Sequence, residues 1–160
     1  MKRWSRGIQL ASLACTLAAT PLVGQADDEA AEYRHSVFNV IGWNFGPMAA
    51  MVKGEVPYDA EEFSRRADRV AAMSQMALEG FPEGSDRPDD EAKPAIWREW
   101  SDFEKKMENF TVAASRLAQT STSGDWGQVR KTFIGVADTC KACPSRKFST
   151  VNVFLPMLFK

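Results

Sequence analysis

Apolar side chains recur every three or four residues along four stretches of this 160-residue chain, and this spacing restricts the possible folds more than any other feature. The first stretch covers about residues 28–53 and the second about 59–78; the third begins near Pro94 and the fourth near Asp125. Such spacing places the apolar groups on one face of an α-helix. No alternating pattern of the kind that strands require competes with it. The sequence therefore predicts an all-α fold.

Each predicted helix has an apolar seam whose spacing alternates between three and four, as in helices that pack nearly parallel, about 20° apart. Asp59 is a predicted N-cap with Glu62 three residues later, as in a capping box. Pro47 lies inside the first helix and is expected to kink it. The seam residues are Arg34, Phe38, Ile41, Phe45, Met48 and Val52 in the first helix, Phe63, Val70, Met73 and Ala77 in the second, Ile96, Trp100, Phe103, Met107, Phe110, Ala114 and Leu117 in the third, and Val129, Phe133, Val136, Cys140 and Cys143 in the fourth.

The connections between the helices predict the topology. Residues 54–58 and 120–124 form short connections, which favour antiparallel neighbours. Residues 79–93 form a longer loop that contains Gly80, Pro82, Gly84 and Pro88. The expected architecture is an antiparallel up-down-up-down four-helix bundle. In that topology the start of the first helix, the loop 79–93 and the end of the fourth helix meet at one end of the bundle.

The first 26 residues have the layout of a secretory signal peptide. Lys2, Arg3 and Arg6 precede an apolar run over residues 8–23, and the small residues before position 27 predict cleavage after Ala26. The run is too short and too interrupted for a membrane span. We therefore expect a periplasmic protein with no membrane segment after signal removal. The predicted domains are the signal at 1–26, the bundle at 27–148 and an atypical apolar tail at 149–160.

Charge and composition exclude several classes of function. The formal net charge is −1, which argues against a strongly basic nucleic-acid-binding protein. The chain has one histidine, His35, and this excludes a histidine-rich metal site. No catalytic constellation stands out in the sequence, so we expect a binding protein rather than an enzyme.

Cys140 and Cys143 form a C-x-x-C motif at the end of the fourth predicted helix. A separation of three places both sulfurs on one face. Four interpretations compete: a redox dithiol, half of a zinc site, a structural disulfide or thiol pair, and covalent haem attachment. A redox dithiol usually lies at a helix N-terminus, where the thiol pKa is lowered, and zinc requires two further ligands. Haem attachment uses C-x-x-C-H with histidine as the iron ligand, and Pro144 occupies that position here.

Arg34 falls on the apolar seam of the first helix, where an unpaired charge is costly. We expect it either to bind an anionic partner or to extend its head group to solvent. A haem propionate or one of Glu79, Glu83 and Glu91 is a possible partner. Phe38, one turn further along, is expected to form an apolar wall beside the site.

Four ordered segments resemble the cytochrome c′ family of periplasmic four-helix haem proteins. They are YRHSVFNVIGWNFGPM at 33–48, MVKGEVPYDAEEF at 51–63, AKPAIWREWSDFEKKM at 92–107 and TCKAC at 139–143. The resemblance implies one covalent haem c, a homodimer, and electron transfer to a periplasmic redox partner or binding of a diatomic gas such as nitric oxide or carbon monoxide. It implies thioether bonds at Cys140 and Cys143. It also implies haem contacts at Arg34, His35 and Glu91, with Phe38 on the distal apolar side.

The chain departs from this family after Cys143. Pro144 replaces the expected axial histidine and cannot bind iron. It should also distort or end the helix. The segment PSRKFSTVNVFLPMLFK then replaces a short basic end. Two explanations stay open: a natural relative that binds no haem, and a one-base insertion that shifts the reading frame. The functional hypotheses are a haem-c protein, a haem-free dimeric bundle that acts as an interaction module, and a thiol-disulfide enzyme.

Overall fold

The computed structural model describes residues 23–87, 90 and 92–142, with side chains from residue 28 onward. Within these ranges the chain is helical and contains no strand, so the predicted all-α class is confirmed. None of the described helices is long and apolar enough to cross a membrane. The elements are α1 (Val23–Lys53), α2 (Ala60–Met76), a 3₁₀ turn (Ala77–Gly80), α3 (Ala95–Arg98), α4 (Trp100–Ser123) and α5 (Trp126–Ala142).

The predicted seams form the hydrophobic core. Of the described seam residues, only Phe38, Met73, Trp100 and Cys140 are half-buried, and all the others are buried. The rings of Phe45 in α1 and Phe133 in α5 stack with their centroids 4.3 Å apart. Phe63 of α2 meets the Phe133 ring edge-on at 6.1 Å. Full burial of one such side chain contributes about 2–3 kcal/mol to the stability of the fold. This aromatic cluster therefore stabilises the packing of α1, α2 and α5.

Local chemistry sets the helix ends. The Asp59 carboxylate accepts a hydrogen bond from the Glu62 backbone N–H at 3.0 Å, which confirms the predicted N-cap. The Glu62 side chain instead pairs with Arg65 and Arg66, with the Arg66 Nε donating at 2.6 Å. The third predicted helix does begin after Pro94, but it is divided at Glu99, where the backbone leaves helical geometry (φ −116°, ψ 42°) and separates α3 from α4.

Pro47 lies inside α1, and the helix continues past it to Lys53. Proline has no N–H, so the carbonyl of Trp43, four residues earlier, loses its usual helical donor. Arg66 of α2 donates to that carbonyl from Nη1 at 3.3 Å. The hydrogen bond missing from α1 is thereby replaced by a contact from the neighbouring helix.

The helix order places the site as the sequence predicts. α2 packs against α1 and α4, and α4 packs against α5. The short turns between α1 and α2 and between α4 and α5 reverse the chain, so α5 runs towards the end where α4 begins. The loop after the 3₁₀ turn contacts the first half of α1 at the same end, through the bonds described below. The start of α1, the loop and the end of α5 therefore converge.

Candidate functional site

Arg34 is the most completely enclosed polar group in the described part of the chain, with 0% of its surface exposed. Its Nη1 donates to the carbonyl of Gly80 at 2.7 Å and to Ser85 Oγ at 3.1 Å. Nη2 donates to the Ser85 carbonyl at 2.8 Å and also contacts Asp90 Oδ2, to which Nε donates at 2.9 Å. A guanidinium has five N–H groups, and these five contacts engage them all.

An anionic partner for Arg34 was among the predictions, but the residue that provides it was not identified. The structure pairs Arg34 with Asp90, and the alternative of a solvent-exposed head group is wrong because the side chain is fully buried. Glu79 accepts a hydrogen bond from Tyr33 Oη at 2.9 Å, and Glu83 is exposed. Glu91 lies outside the described residues.

Two aromatic rings complete the enclosure of Arg34. Its Cζ lies 5.4 Å from the centroid of Phe81 and 5.6 Å from that of Trp97. A guanidinium at such distances is attracted by the negative faces of the rings. The Trp97 Nε1–H donates to the carbonyl of Pro82 at 2.9 Å, which holds the indole against the loop.

The Asp90 carboxyl has only 3% of its side chain exposed. This burial acts to raise its pKa, but the hydrogen bonds and positive charge of Arg34, with smaller help from His35 and the Ala92 backbone N–H, outweigh it and hold the pKa below its usual value. His35 Nε2 lies 3.2 Å from Asp90 Oδ1, and 45% of the His35 side chain is exposed. Asp90 is therefore ionised at neutral pH and ties the loop to two consecutive residues of α1.

Gly80 allows the loop to lie directly on α1. A Cβ at this position would lie 2.7 Å from Arg34 Cβ and 3.1 Å from Arg34 Cα. The first contact is shorter than real Cβ atoms show and the second is tighter than most, so only glycine fits without movement. The sequence predicted that Gly80 lies in a loop. No sequence signal identified Gly80, Ser85 or Asp90 as partners of Arg34.

Phe38 lies one turn beyond Arg34 and is half-buried. Its ring meets Phe81 edge-on, with the centroids 6.4 Å apart. The expected apolar wall beside Arg34 is present and includes a second aromatic ring from the loop.

Cys140 lies in the last turn of α5, half-buried against the core. Cys143 and Pro144 lie outside the described residues, as do residues 1–22, which hold most of the predicted signal, and the predicted tail. No cluster of three or more His, Cys, Asp or Glu side chains suited to a metal ion occurs among the described residues.

The residues present suit the covalent attachment of haem but do not supply the expected ligand for its iron. Cys140 and Cys143 are three residues apart in the sequence, a spacing that suits thioether attachment, and Cys140 is half-buried against the core. Pro144 has no side-chain donor for iron. Arg34 has no N–H left for a propionate while its five present contacts persist. The sequence-based haem contacts at Arg34, His35, Glu91 and Phe38 stay predictions.

An antiparallel four-helix bundle with a C-x-x-C motif that begins in the last turn of its last helix is the arrangement of the helical c-type cytochromes. The sequence profile of the Cytochrome C′ family matches residues 29–146. The chain belongs to the cytochrome c′ family.

Similar proteins cover most of the chain. Cytochrome c′ of Halomonas halodenitrificans is 38% identical over 122 residues, which are 72% of this chain and 92% of the relative. Cytochrome c′ of Rubrivivax gelatinosus is 32% identical and covers 74% of this chain and 93% of its own. The structure of cytochrome c prime from Shewanella frigidimarina superposes with a TM-score of 0.71 at 44% identity, covering 73% and 91%. A nitric oxide complex of a variant cytochrome c prime from Alcaligenes xylosoxidans gives 0.68 at 30% identity, covering 73% and 91%.

Proposed function

We propose that this chain is a periplasmic haem-c protein that transfers electrons or binds a small gas, and that it is not an enzyme. The observation that carries the proposal is the C-x-x-C motif at the end of α5 in a bundle of the cytochrome c′ family. Cys140 and Cys143 hold one haem through thioether bonds. Nitric oxide and carbon monoxide are the candidate gases, and a nitric oxide complex of a similar protein supports the first of them.

The side chains around the haem are assigned from the resemblance together with the observed contacts. Phe38 would supply the apolar surface on the distal side of a bound haem. His35 presents a half-exposed ring and contacts the haem edge together with Glu91. Arg34 contacts a propionate only if it releases one of its present acceptors, so its first role is to hold the loop against α1.

A homodimer is part of this proposal. Trp43 of α1 is 75% exposed, and Val40 on the preceding turn is also exposed. A large aromatic side chain on the surface of a helix is characteristic of protein interfaces. The exposed face around these two residues of α1 is the proposed contact between protomers.

A haem-free dimeric bundle that acts as an interaction module is the second candidate. Pro144 favours it, because without the histidine the iron has no axial ligand at the expected position. The saturation of Arg34 by Gly80, Ser85 and Asp90 also favours it, since the site end of the bundle is held together without a cofactor.

One expression experiment separates the two candidates. The full chain is produced in a bacterium with a c-type maturation system, beside the variants Pro144→His and Cys140→Ser/Cys143→Ser. The haem proposal expects a Soret band and haem that stays with the denatured wild-type polypeptide, more haem in Pro144→His, and none in the double serine variant. A colourless wild type beside a red Pro144→His variant would establish the haem-free candidate.

A further inference from the structure

A groove lies on the surface of the bundle beside the Arg34 site. We call it the aromatic groove, and it encloses about 460 Å³. The loop forms one of its sides, while α3 and the start of α4 form the other. Its lining residues are Phe81, Pro82, Glu83, Gly84, Trp97 and Trp100.

The aromatic groove is lined mostly by apolar surface, and Glu83 is the one charged residue of its lining. The Trp97 N–H already donates to Pro82, so that indole has no donor left for a ligand. The remaining lining is mostly ring and aliphatic surface, with one exposed carboxylate at Glu83. Asp86, three residues further along the loop, is also exposed.

The end of α5 lies at the same end of the bundle as the aromatic groove. Because α4 and α5 are antiparallel and joined by a tight turn at Gly124 and Asp125, Ala142 lies roughly level with Met107. Trp100 is seven residues before Met107, which is about 10 Å further along the bundle. An extended chain advances about 3.3 Å per residue, so about four residues after Ala142 are enough to cover this distance.

The segment that follows α5 has the complementary composition. Residues 151–159 read VNVFLPMLF and contain no charged side chain. Arg146 and Lys147 precede this apolar run, and no acidic residue occurs between residues 143 and 160. The segment thus offers an apolar run after two basic groups, and the groove offers aromatic rings and the exposed carboxylate of Glu83, with Asp86 three residues further along the loop.

We propose that residues 151–159 of this chain bind in the aromatic groove of their own bundle, with Arg146 and Lys147 facing Glu83 and Asp86. A short tether makes this contact intramolecular at an effective concentration in the millimolar range. The docked segment covers Phe81 and Trp97, the two rings that enclose Arg34.

Site-specific photo-crosslinking tests this contact in the full chain. Benzoylphenylalanine replaces Phe154, the protein is irradiated, and the crosslinked peptides are identified by mass spectrometry. We expect a crosslink within one chain to residues 81–100. The variant Glu83→Lys should reduce its yield several-fold, whereas Asp68→Lys, the same charge change at an exposed site in the middle of α2, should leave it unchanged.

Three results would overturn the proposal: crosslinks between two chains only, crosslinks to another part of the bundle, or no crosslink above that of the denatured protein. Circular dichroism of each variant shows whether the bundle is folded, so loss of the crosslink through unfolding is recognised. The readout does not depend on haem and can be made on haem-free and haem-loaded fractions alike. Failure of this contact is therefore distinguishable from failure of the haem proposal.

Discussion

Gly80 lies against the backbone of Arg34, so close that a methyl group on Gly80 would be 2.7 Å from Arg34 Cβ. The same two residues are joined by the hydrogen bond from Arg34 Nη1 to the Gly80 carbonyl. The contact between the loop and α1 therefore requires both the absence of a side chain at Gly80 and the long side chain of Arg34.

The variant Gly80→Ala should destabilise the protein by about 1–3 kcal/mol, since an added methyl in a packed contact forces the backbone apart. Urea unfolding followed by circular dichroism measures the change. Gly135→Ala is the matched control, because Gly135 lies on the exposed side of α5 with no atom within 4 Å of an added Cβ. That control should stabilise the helix by about 0.5–1 kcal/mol. Equal effects at the two glycines would contradict the close approach at Gly80.

Removing the charge of Asp90 should cost about 3–5 kcal/mol, the usual effect of leaving one member of a buried ion pair without its partner. The variant Asp90→Asn keeps the size of the side chain and removes only the charge. Asp138→Asn provides the comparison, since Asp138 pairs with Lys141 on the exposed side of α5 at 3.2 Å, and such pairs contribute little. We expect a change within about 0.5 kcal/mol there. A loss at Asp90 no larger than at Asp138 would show that the pair does not hold the loop.

The stability of the protein should also fall in acid through Asp90. In the unfolded chain an aspartate has a pKa of about 3.9, and the pKa of Asp90 in the folded protein is lower. The unfolded state therefore binds the proton first, so this contribution is complete above the unfolded pKa and is lost as the pH falls through the folded pKa. The free energy of unfolding of the wild type and of Asp90→Asn, measured between about pH 3 and pH 7, should converge towards low pH. A constant difference over the whole range would contradict the lowered pKa.

Replacing the proline in α1 should stabilise the bundle. Proline inside a helix costs about 3 kcal/mol relative to alanine, and Pro47→Ala restores an N–H for the Trp43 carbonyl. Because Arg66 already donates to that carbonyl at 3.3 Å, we expect a gain smaller than the full cost, about 1–2 kcal/mol. Thermal unfolding measures it. In the Arg66→Met background the gain should be larger, and an equal gain in both backgrounds would show that Arg66 does not replace the missing bond.

Local patterns in the sequence were sufficient for the helices and their buried faces. Seam residues such as Ile41, Phe103 and Val136 were predicted to be buried, and they are. The apolar period of a helix is set by its own geometry, so it can be recognised without knowledge of the neighbours. The N-cap at Asp59 was equally local, because donor and acceptor are three residues apart.

The break at Glu99 was not predicted, because the apolar seam runs through it without interruption from Ile96 to Phe103. Trp97 packs against Phe81 and donates to Pro82 on the loop. These contacts come from residues about fifteen positions away, and no local pattern contains them. Tertiary packing there overrides a continuous helical pattern.

The sequence by itself determined that Arg34 lies on the apolar seam of the first helix, where its charge requires either an anionic partner or access to solvent. Only the tertiary structure decided that the anion is Asp90. Glu79, Glu83 and Glu91 were equally consistent with the sequence, because all three lie in the predicted loop 79–93 and no local pattern places one of them against α1. The path of the loop is set by Gly80 lying on α1 and by the Ser85 carbonyl meeting the guanidinium, and along that path it is Asp90 that meets Arg34.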